Sequence, residues 1–190
     1  MSSKHVLILK GSPREDGNSS TLADRVAAGS SDSGAEVETF ILHNMNILPC
    51  DACDTCQGSR EADCIIQDDM QILYPKLFQA SAIVIASPVY LFNVNAQTKL
   101  CIDRWHAFKT PKGNLLEGKK IGIILTYGDT DPFKSGAINA IRAFQDMFRY
   151  IKAEIVDTVH GTALNLGDVQ NKPDLMERAY KLGKRLCSAI

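Results

Sequence analysis

The sequence predicts an α/β fold in which helices cover both faces of a parallel β-sheet. Short apolar runs alternate with amphipathic stretches along the chain, a pattern typical of βαβ units with right-handed crossovers. The central runs are apolar without interruption, as expected for strands that are buried on both faces. Five strands alternating with five helices favour a flavodoxin-like three-layer sandwich, whose parallel sheet has the strand order 2-1-3-4-5.

Each element follows from a local pattern. The first strand is an apolar run, and the helix after it begins at a capping residue, Asn18 or Ser19. Two acidic residues, Asp68 and Asp69, begin the second helix, where they suit the helix dipole. Pro88 is expected to end the third strand. The predicted strands are Val6–Leu9, Val37–Leu42, Ala82–Ala86, Lys120–Thr126 and Glu154–Val159, and the predicted helices are Asn18–Ala28, Asp68–Gln79, Asn95–Phe108, Ser135–Tyr150 and Asp174–Ser188.

The size and charge of the chain limit its class. Its 190 residues fit one domain, residues 1–190, with a cysteine-rich loop at 49–67. A net charge of −1 argues against nucleic-acid or anionic-membrane partners, which require a basic surface. The sequence has no apolar run of about 18 residues, which would suggest a membrane-spanning helix, and its first apolar run is too short for a signal peptide. We therefore expect a cytoplasmic protein without a membrane partner.

The loop after the first strand, residues 11–21, has the composition of a phosphate-binding loop. Gly11 and Gly17 allow backbone N–H groups to approach an anion, and the N-terminus of the following helix attracts negative charge. The side chains that could bond a phosphate are Ser12, Arg14, Asn18, Ser19, Ser20 and Thr21. The loop is neither a Walker loop nor a GxGxxG motif, so it favours the terminal phosphate of FMN over a pyrophosphate. The alternative is an ordinary turn that leads into a capped helix.

Two further loops are expected beside this one, because strands one, three and four are neighbours in the predicted sheet. The loop after the third strand presents Val89, Tyr90 and Phe92, whose apolar side chains suit a planar aromatic ligand. The alternative for this loop is a hydrophobic plug or a dimer contact. The loop after the fourth strand contains Tyr127 and Gly128, which could flank the same ligand.

Four of the six cysteines form a C-x2-C-x2-C-x7-C motif, made of Cys50, Cys53, Cys56 and Cys64. In a reducing compartment such clusters bind metal or perform redox chemistry more often than they form structural disulfides. Three thiolates at this spacing can hold one face of an iron–sulfur cubane, with a fourth ligand supplied from nearby. Zinc, reduced thiols and a reversible disulfide remain alternatives.

These motifs resemble those of a known family. GSPREDGNSS is similar to the phosphate loop of the NAD(P)H-dependent FMN reductase-like flavoproteins, and SPVYLFNVNAQTKLCIDR is similar to their flavin loop and the helix after it. PCDACDTCQGSREADCIIQDDM resembles the cysteine segment of the iron–sulfur flavoprotein branch. The resemblance covers Lys10–Arg104 through these motifs, and the rest of the chain through its βα pattern.

The resemblance implies a position for each part of FMN. The residues implied to hold the phosphate are Ser12, Arg14, Asn18, Ser19 and Ser20. Those implied to line the ribityl chain and the isoalloxazine ring are Pro88, Val89, Tyr90, Phe92 and Asn93, with Tyr127 and Gly128 on the other side. The resemblance also implies a [4Fe–4S] cluster on Cys50, Cys53, Cys56 and Cys64, and assembly as a homodimer or homotetramer.

The activity implied by the resemblance is that of an FMN-dependent oxidoreductase with NAD(P)H as a donor. Because FMN carries the chemistry, no catalytic side chain is predicted, and Asp103 and Arg104 are expected to form an ordinary solvated or interface ion pair. With a cluster, the protein would exchange single electrons with a ferredoxin-like partner. Without one, it would reduce a flavin, a quinone or another small acceptor. Two hypotheses from other classes are a cysteine-based redox sensor and a non-redox phosphate-binding domain.

Overall fold

The computed structural model describes residues 4–58 and 64–188 and contains a parallel sheet with helices on both faces. The strands are β1 His5–Lys10, β2 Glu36–Ile41, β3 Ala82–Tyr90, β4 Asn93–Val94, β5 Lys109–Thr110, β6 Gly113–Asn114, β7 Lys120–Tyr127 and β8 Glu154–Thr162. The helices are α1 Asn18–Ser31, α2 Met70–Gln79, α3 Ala96–Asp103, α4 Ala137–Ile151 and α5 Pro173–Leu186. Short 3-10 helices span Leu42–Asn44, Thr55–Gly58, Arg104–Phe108 and Asp168–Asn171.

The sheet has the order β2-β1-β3-β7-β8, and all four pairings along it are parallel. This order confirms the predicted 2-1-3-4-5 arrangement, because β2, β1, β3, β7 and β8 are the five predicted strands. Strand β4 adds an antiparallel pair at the end of β3, and β5 and β6 form a separate two-stranded hairpin. Among the described residues, we find no helix with the length and apolarity needed to cross a bilayer.

Strand β1 shows how the sheet is buried on both faces. Leu7 and Leu9 belong to the core under α2, α3 and α4, while Val6 and Ile8 belong to the core under α1 and α5. All four side chains are no more than 1% exposed. The uninterrupted apolar runs in the sequence therefore reflect a central strand between two helical layers.

Two of the element boundaries that differ from the sequence prediction concern β3 and α3. The prediction that Pro88 ends the third strand is wrong, because β3 continues through Pro88, which pairs with Thr126 of β7. The β1–β3 pairing ends at Lys10 and Ala86, so Pro88 needs no N–H group on that side. The predicted helix 95–108 ends at Asp103 and continues as a 3-10 helix. Parts of the predicted domain 1–190 and of the cysteine-rich loop 49–67, residues 1–3, 59–63 and 189–190, lie outside the described residues.

Helices α1 and α5 pack together at two glycines. A Cβ atom at Gly29 would lie 2.1 Å from the carbonyl oxygen of Tyr180, and a Cβ at Gly183 would lie 2.2 Å from that of Val26. The Ser30 hydroxyl donates a hydrogen bond of 3.2 Å to the carbonyl oxygen of Gly183 at the same contact. No side chain larger than hydrogen fits at either glycine, so the position of α1 depends directly on α5.

Candidate functional site

A cleft of about 320 Å³ opens at the carboxyl ends of β1, β3, β7 and β8. This is the edge where ligands bind in open α/β sheets. The cleft is lined by Ser12, Arg14, Gly17, Asn18, Ser19, Pro88, Val89, Tyr90, Thr126, Tyr127, Gly128, Ala163, Leu164 and Leu166. The three loops singled out in the sequence therefore meet at one place, together with a fourth loop after β8.

Nine of the twelve residues predicted to contact the cofactor line this cleft, and Ser20, Phe92 and Asn93 do not. The buried Ser20 hydroxyl donates to the carbonyl oxygen of Arg14 at 3.3 Å, so it supports the loop from below. Phe92 lies against Gly136, where an added Cβ would come within 2.4 Å of the Cβ of Phe92. The Asn93 side chain accepts a hydrogen bond of 2.8 Å from the backbone N–H of Val94.

The loop after β1, residues 11–21, is folded by its own hydrogen bonds. The Ser12 hydroxyl donates to the carbonyl oxygen of Arg14 at 3.0 Å and accepts from the Arg14 N–H at 3.1 Å. The N–H of Gly17 donates to the same carbonyl oxygen, and an added Cβ at Gly17 would lie 2.4 Å from the Ser12 hydroxyl oxygen. These contacts hold the loop closed against the first turn of α1, and they leave room for glycine alone at position 17.

One polar atom in this loop is buried without a partner. The Ser19 hydroxyl is fully enclosed and has no hydrogen-bond partner among the described residues. It lies in the first turn of α1, where free backbone N–H groups and the helix dipole favour an anion. Arg14 is exposed beside it and supplies a positive charge. A phosphate monoester such as that of FMN would satisfy the Ser19 hydroxyl, so these residues fit the group that the sequence motifs imply.

Tyr127 lines the opposite wall of the cleft and is paired with a histidine. Its hydroxyl lies 3.1 Å from Nδ1 of His160 on the neighbouring strand β8. Burial raises the pKa of Tyr127, and burial, together with the positive charge of Arg178, lowers the pKa of His160. The protonated phenol and the neutral imidazole are therefore joined by a hydrogen bond, which fixes the orientation of the Tyr127 ring in the cleft.

Acidification is expected to destabilise the protein through His160. The folded-state pKa of His160 is below that of an ordinary histidine, so protonation favours the unfolded chain as the pH falls through about 6.5. The loss of unfolding free energy between pH 7.5 and 5.5, measured by urea denaturation, should be smaller in His160→Gln than in the wild type. His43→Gln, which changes an exposed histidine, serves as the control. An equal loss in the wild type and in His160→Gln would contradict this assignment.

The four cysteines of the motif occupy two different environments. Cys50 and Cys53 are exposed, whereas Cys56 and Cys64 are buried. Within residues 4–58 and 64–188, no three His, Cys, Asp or Glu side chains are grouped as metal ligands. In this arrangement the described cysteines do not fit a cubane, so we derive no chemistry from a cluster, and the predicted ligand set stays a prediction.

Both ends of the cysteine segment are held by a buried ion pair between Arg104 and Asp68, whose side chains are 0% exposed. Arg104 also donates to the carbonyl oxygen of Leu48 at 2.9 Å and to Sγ of Cys64 at 3.3 Å. Asp68 accepts a hydrogen bond of 2.8 Å from the N–H of Leu48. The expectation of a solvated or interface ion pair between Asp103 and Arg104 is therefore wrong, since Asp103 instead pairs with Lys99 on the surface.

Comparisons with known proteins agree with this geometry. Residues 5–164 match the family model described as NADPH-dependent FMN reductase. An iron–sulfur flavoprotein of Archaeoglobus fulgidus is 32% identical over 95% of this chain and 77% of its own length. An iron–sulfur flavoprotein of Methanosarcina thermophila is 28% identical over 96% of this chain and 93% of its own. The solved structure of an NAD(P)H:quinone oxidoreductase from Methanothermobacter marburgensis aligns over 100% of both chains with a TM-score of 0.76 and 19% identity, and so supports the fold.

Proposed function

The chain belongs to the NADPH-dependent FMN reductase family and is an FMN-dependent oxidoreductase, and we propose that its FMN occupies the cleft at the ends of β1, β3, β7 and β8. We further propose that electrons pass there from NAD(P)H to a small acceptor. The observation that carries the proposal is the buried, unpartnered hydroxyl of Ser19 in the first turn of α1. FMN, when bound, supplies hydride and single-electron transfer, while the protein binds and orients it.

Each wall of the cleft has a role in this proposal. Ser12, Arg14, Ser19 and Ser20 form the phosphate end, where Ser12 and Ser20 act by holding the loop through the carbonyl oxygen of Arg14. Pro88, Val89 and Tyr90 form the wall along the ribityl chain and the ring, and Tyr127 and Gly128 form the other wall. Phe92 lies in the turn between β3 and β4, and Asn93 is the first residue of β4. Contact of either residue with the ring stays a prediction.

Comparing FMN with riboflavin tests the phosphate end. Riboflavin lacks the phosphate, so a phosphate ligand contributes to the affinity for FMN alone. We expect Ser19→Ala to weaken FMN binding by about tenfold to a hundredfold, as for a hydrogen bond to a charged group, and to leave riboflavin binding unchanged. Flavin fluorescence quenching on titration with the apoprotein measures both affinities.

The matched control for Ser19→Ala is Ser31→Ala, an exposed serine at the other end of α1, which should change neither affinity. If Ser19→Ala weakened the binding of FMN and of riboflavin equally, the phosphate would not bind at this loop. Absence of FMN binding by the wild-type protein would overturn the proposal as a whole. Oxidation of NADPH and NADH with a quinone or free FMN as acceptor then identifies the donor and the acceptor class.

A second candidate function is single-electron exchange with a ferredoxin-like partner, which would require Cys50, Cys53, Cys56 and Cys64 to come together around a cluster, an arrangement that the described residues do not have. The names of the two relatives and the cysteine motif favour it. Iron and sulfide content, together with a broad absorption that dithionite bleaches, should appear after anaerobic reconstitution and be lost in Cys53→Ser. If the reconstituted wild type showed flavin absorption bands but contained no iron, the cluster hypothesis would be wrong and the reductase without a cluster would remain.

The proposal also covers domain organisation, cellular location and assembly. We propose a single domain, a cytoplasmic location and a homodimer or homotetramer with the flavin near the subunit interface. Leu91 and Phe92, which are 94% and 57% exposed beside the cleft, support a covered surface at this edge. Light scattering of the FMN-bound protein measures the assembly, and a monomer would contradict it.

A further inference from the structure

The loop after β8, residues 163–169, forms a fourth side of the cleft, and we refer to it as the β8 loop. It presents Leu164 and Leu166, which line the cleft and are 68% and 59% exposed. Leu164 packs on the β7 side of the cleft, since a Cβ at Gly128 would lie 2.8 Å from Cδ1 of Leu164. Because the burial of apolar surface is favourable, contact of these two exposed leucines with the apolar part of a ligand would be more stable than their contact with water.

Asn18 ties the β8 loop to the phosphate-binding loop. Its side-chain NH₂ group donates to the carbonyl oxygens of Ala163 at 3.3 Å and of Asn165 at 2.8 Å. Its side-chain oxygen accepts a hydrogen bond of 3.3 Å from the N–H of Val169. Asn18 is the first residue of α1, so the β8 loop is fixed at the helix end where the phosphate would bind.

The β8 loop is also closed by bonds of its own. A carboxylate oxygen of Asp168 accepts from the N–H groups of Leu164 at 2.9 Å and Asn165 at 2.8 Å. The N–H of Ala163 donates to the carbonyl oxygen of Tyr127 at 2.6 Å, and the side chain of Val169 is fully buried. The two leucines therefore lie on a hydrogen-bonded turn, and both ends of this turn are held in place.

The hydrogen-bonding capacity of Asn18 decides its role. A side-chain amide has two N–H donors, and both are used on carbonyl oxygens of the β8 loop. The remaining polar atom is an oxygen, which cannot donate to a phosphate. Contact between the Asn18 side chain and the phosphate would thus require the loss of a bond that holds the β8 loop.

We propose that Asn18 is a positioning residue that acts on FMN through the β8 loop, and that Leu164 and Leu166 form an apolar wall along the body of the flavin. This inference rests on the proposed position of FMN in the cleft. The family match ends at Leu164, so Leu166 and Asp168 lie beyond the part of the chain shared with the family model. The wall packs against the isoalloxazine ring, which FMN and riboflavin have in common, and does not contact the phosphate.

The test compares Asn18→Ala with Ser19→Ala in binding of FMN and of riboflavin to the apoprotein. We expect Asn18→Ala to weaken both ligands by the same factor, about tenfold, because the leucine wall is released. Asp168→Ala, which opens the β8 loop without a change in α1, should give the same pattern. If Asn18→Ala weakens FMN and spares riboflavin, Asn18 is a phosphate ligand and the inference is overturned, while the proposed FMN site stands.

A double-mutant cycle adds a second readout. In a Leu164→Ala/Leu166→Ala background the wall is already absent, so Asn18→Ala should change the riboflavin affinity by less than about twofold. Thermolysin cleavage of the apoprotein after residue 163 should be faster in Asn18→Ala than in the wild type, which reports release of the loop without any flavin. Full additivity in the cycle, or unchanged cleavage, would overturn the inference. Wild-type protein that binds neither flavin would instead refute the proposed function.

Discussion

Arg104→Met is expected to lower the free energy of unfolding by about 3–5 kcal/mol, because it leaves the Asp68 carboxylate buried without its partner. Both side chains of the pair are 0% exposed, so water cannot replace the lost guanidinium. The variant also loses the bonds from Arg104 to the Leu48 carbonyl oxygen and to Cys64 Sγ. The two ends of the cysteine segment would then have fewer contacts with the 3-10 helix at 104–108.

Urea denaturation followed by far-UV circular dichroism measures this loss. Lys99→Met is the matched control, since it removes the same type of charge from a surface pair that is worth at most about 1 kcal/mol. Arg104→Met/Asp68→Leu should recover part of the stability, because no buried charge is left alone. A loss in Arg104→Met no larger than that in Lys99→Met would show that the pair does not support the fold.

Gly17→Val is expected to weaken FMN binding by about a hundredfold. Gly17 has φ −60° and ψ 150°, which any residue can adopt, so backbone strain is not the cause. The added Cβ would lie 2.4 Å from the Ser12 hydroxyl oxygen and 3.0 Å from the carbonyl oxygen of Arg14. Relief of that overlap opens the loop after β1, at a cost of about 1–3 kcal/mol.

Isothermal titration calorimetry with FMN measures the effect of Gly17→Val, and circular dichroism checks that the variant is folded. The control is Asp16→Ala, a change at the exposed neighbour in the same loop, which should keep the affinity within about threefold. An affinity of Gly17→Val that matches this control would mean that the observed closed form of the loop is not the form that binds phosphate.

The burial of the sheet on both faces could be predicted from the sequence because its signal is local. Leu7 and Leu9 face one helical layer and Val6 and Ile8 face the other, so the strand reads as one apolar run. The sequence did not reveal the burial of Arg104. Its partner, Asp68, is distant along the chain, and a charged residue after a helix is ordinarily a surface residue.

The candidate site was predicted in part for a related reason. The composition of Gly11–Thr21 by itself points to phosphate, and the structure brings Ser12, Arg14, Gly17, Asn18 and Ser19 of this loop to the cleft. The sequence around Leu164 and Leu166 is typical of an ordinary turn. The two leucines line the cleft only because this turn follows β8. The rule that ligands bind at the carboxyl ends of parallel strands could have directed attention to them. The direction of the Asn18 side chain depends on a loop about 150 residues away and has no local signal.

The glycine contact between α1 and α5 has a consequence for synthesis of the protein. Gly29 and Gly183 are about 150 residues apart, so at about 5–20 residues per second α5 is made roughly eight to thirty seconds after α1. During that interval the nascent α1 lacks the surface against which it packs, and Asn18 lacks the loop that it holds. The flavin is therefore expected to bind only after α5 has left the ribosome, so that the yellow colour reports a chain in which α5 has packed against α1.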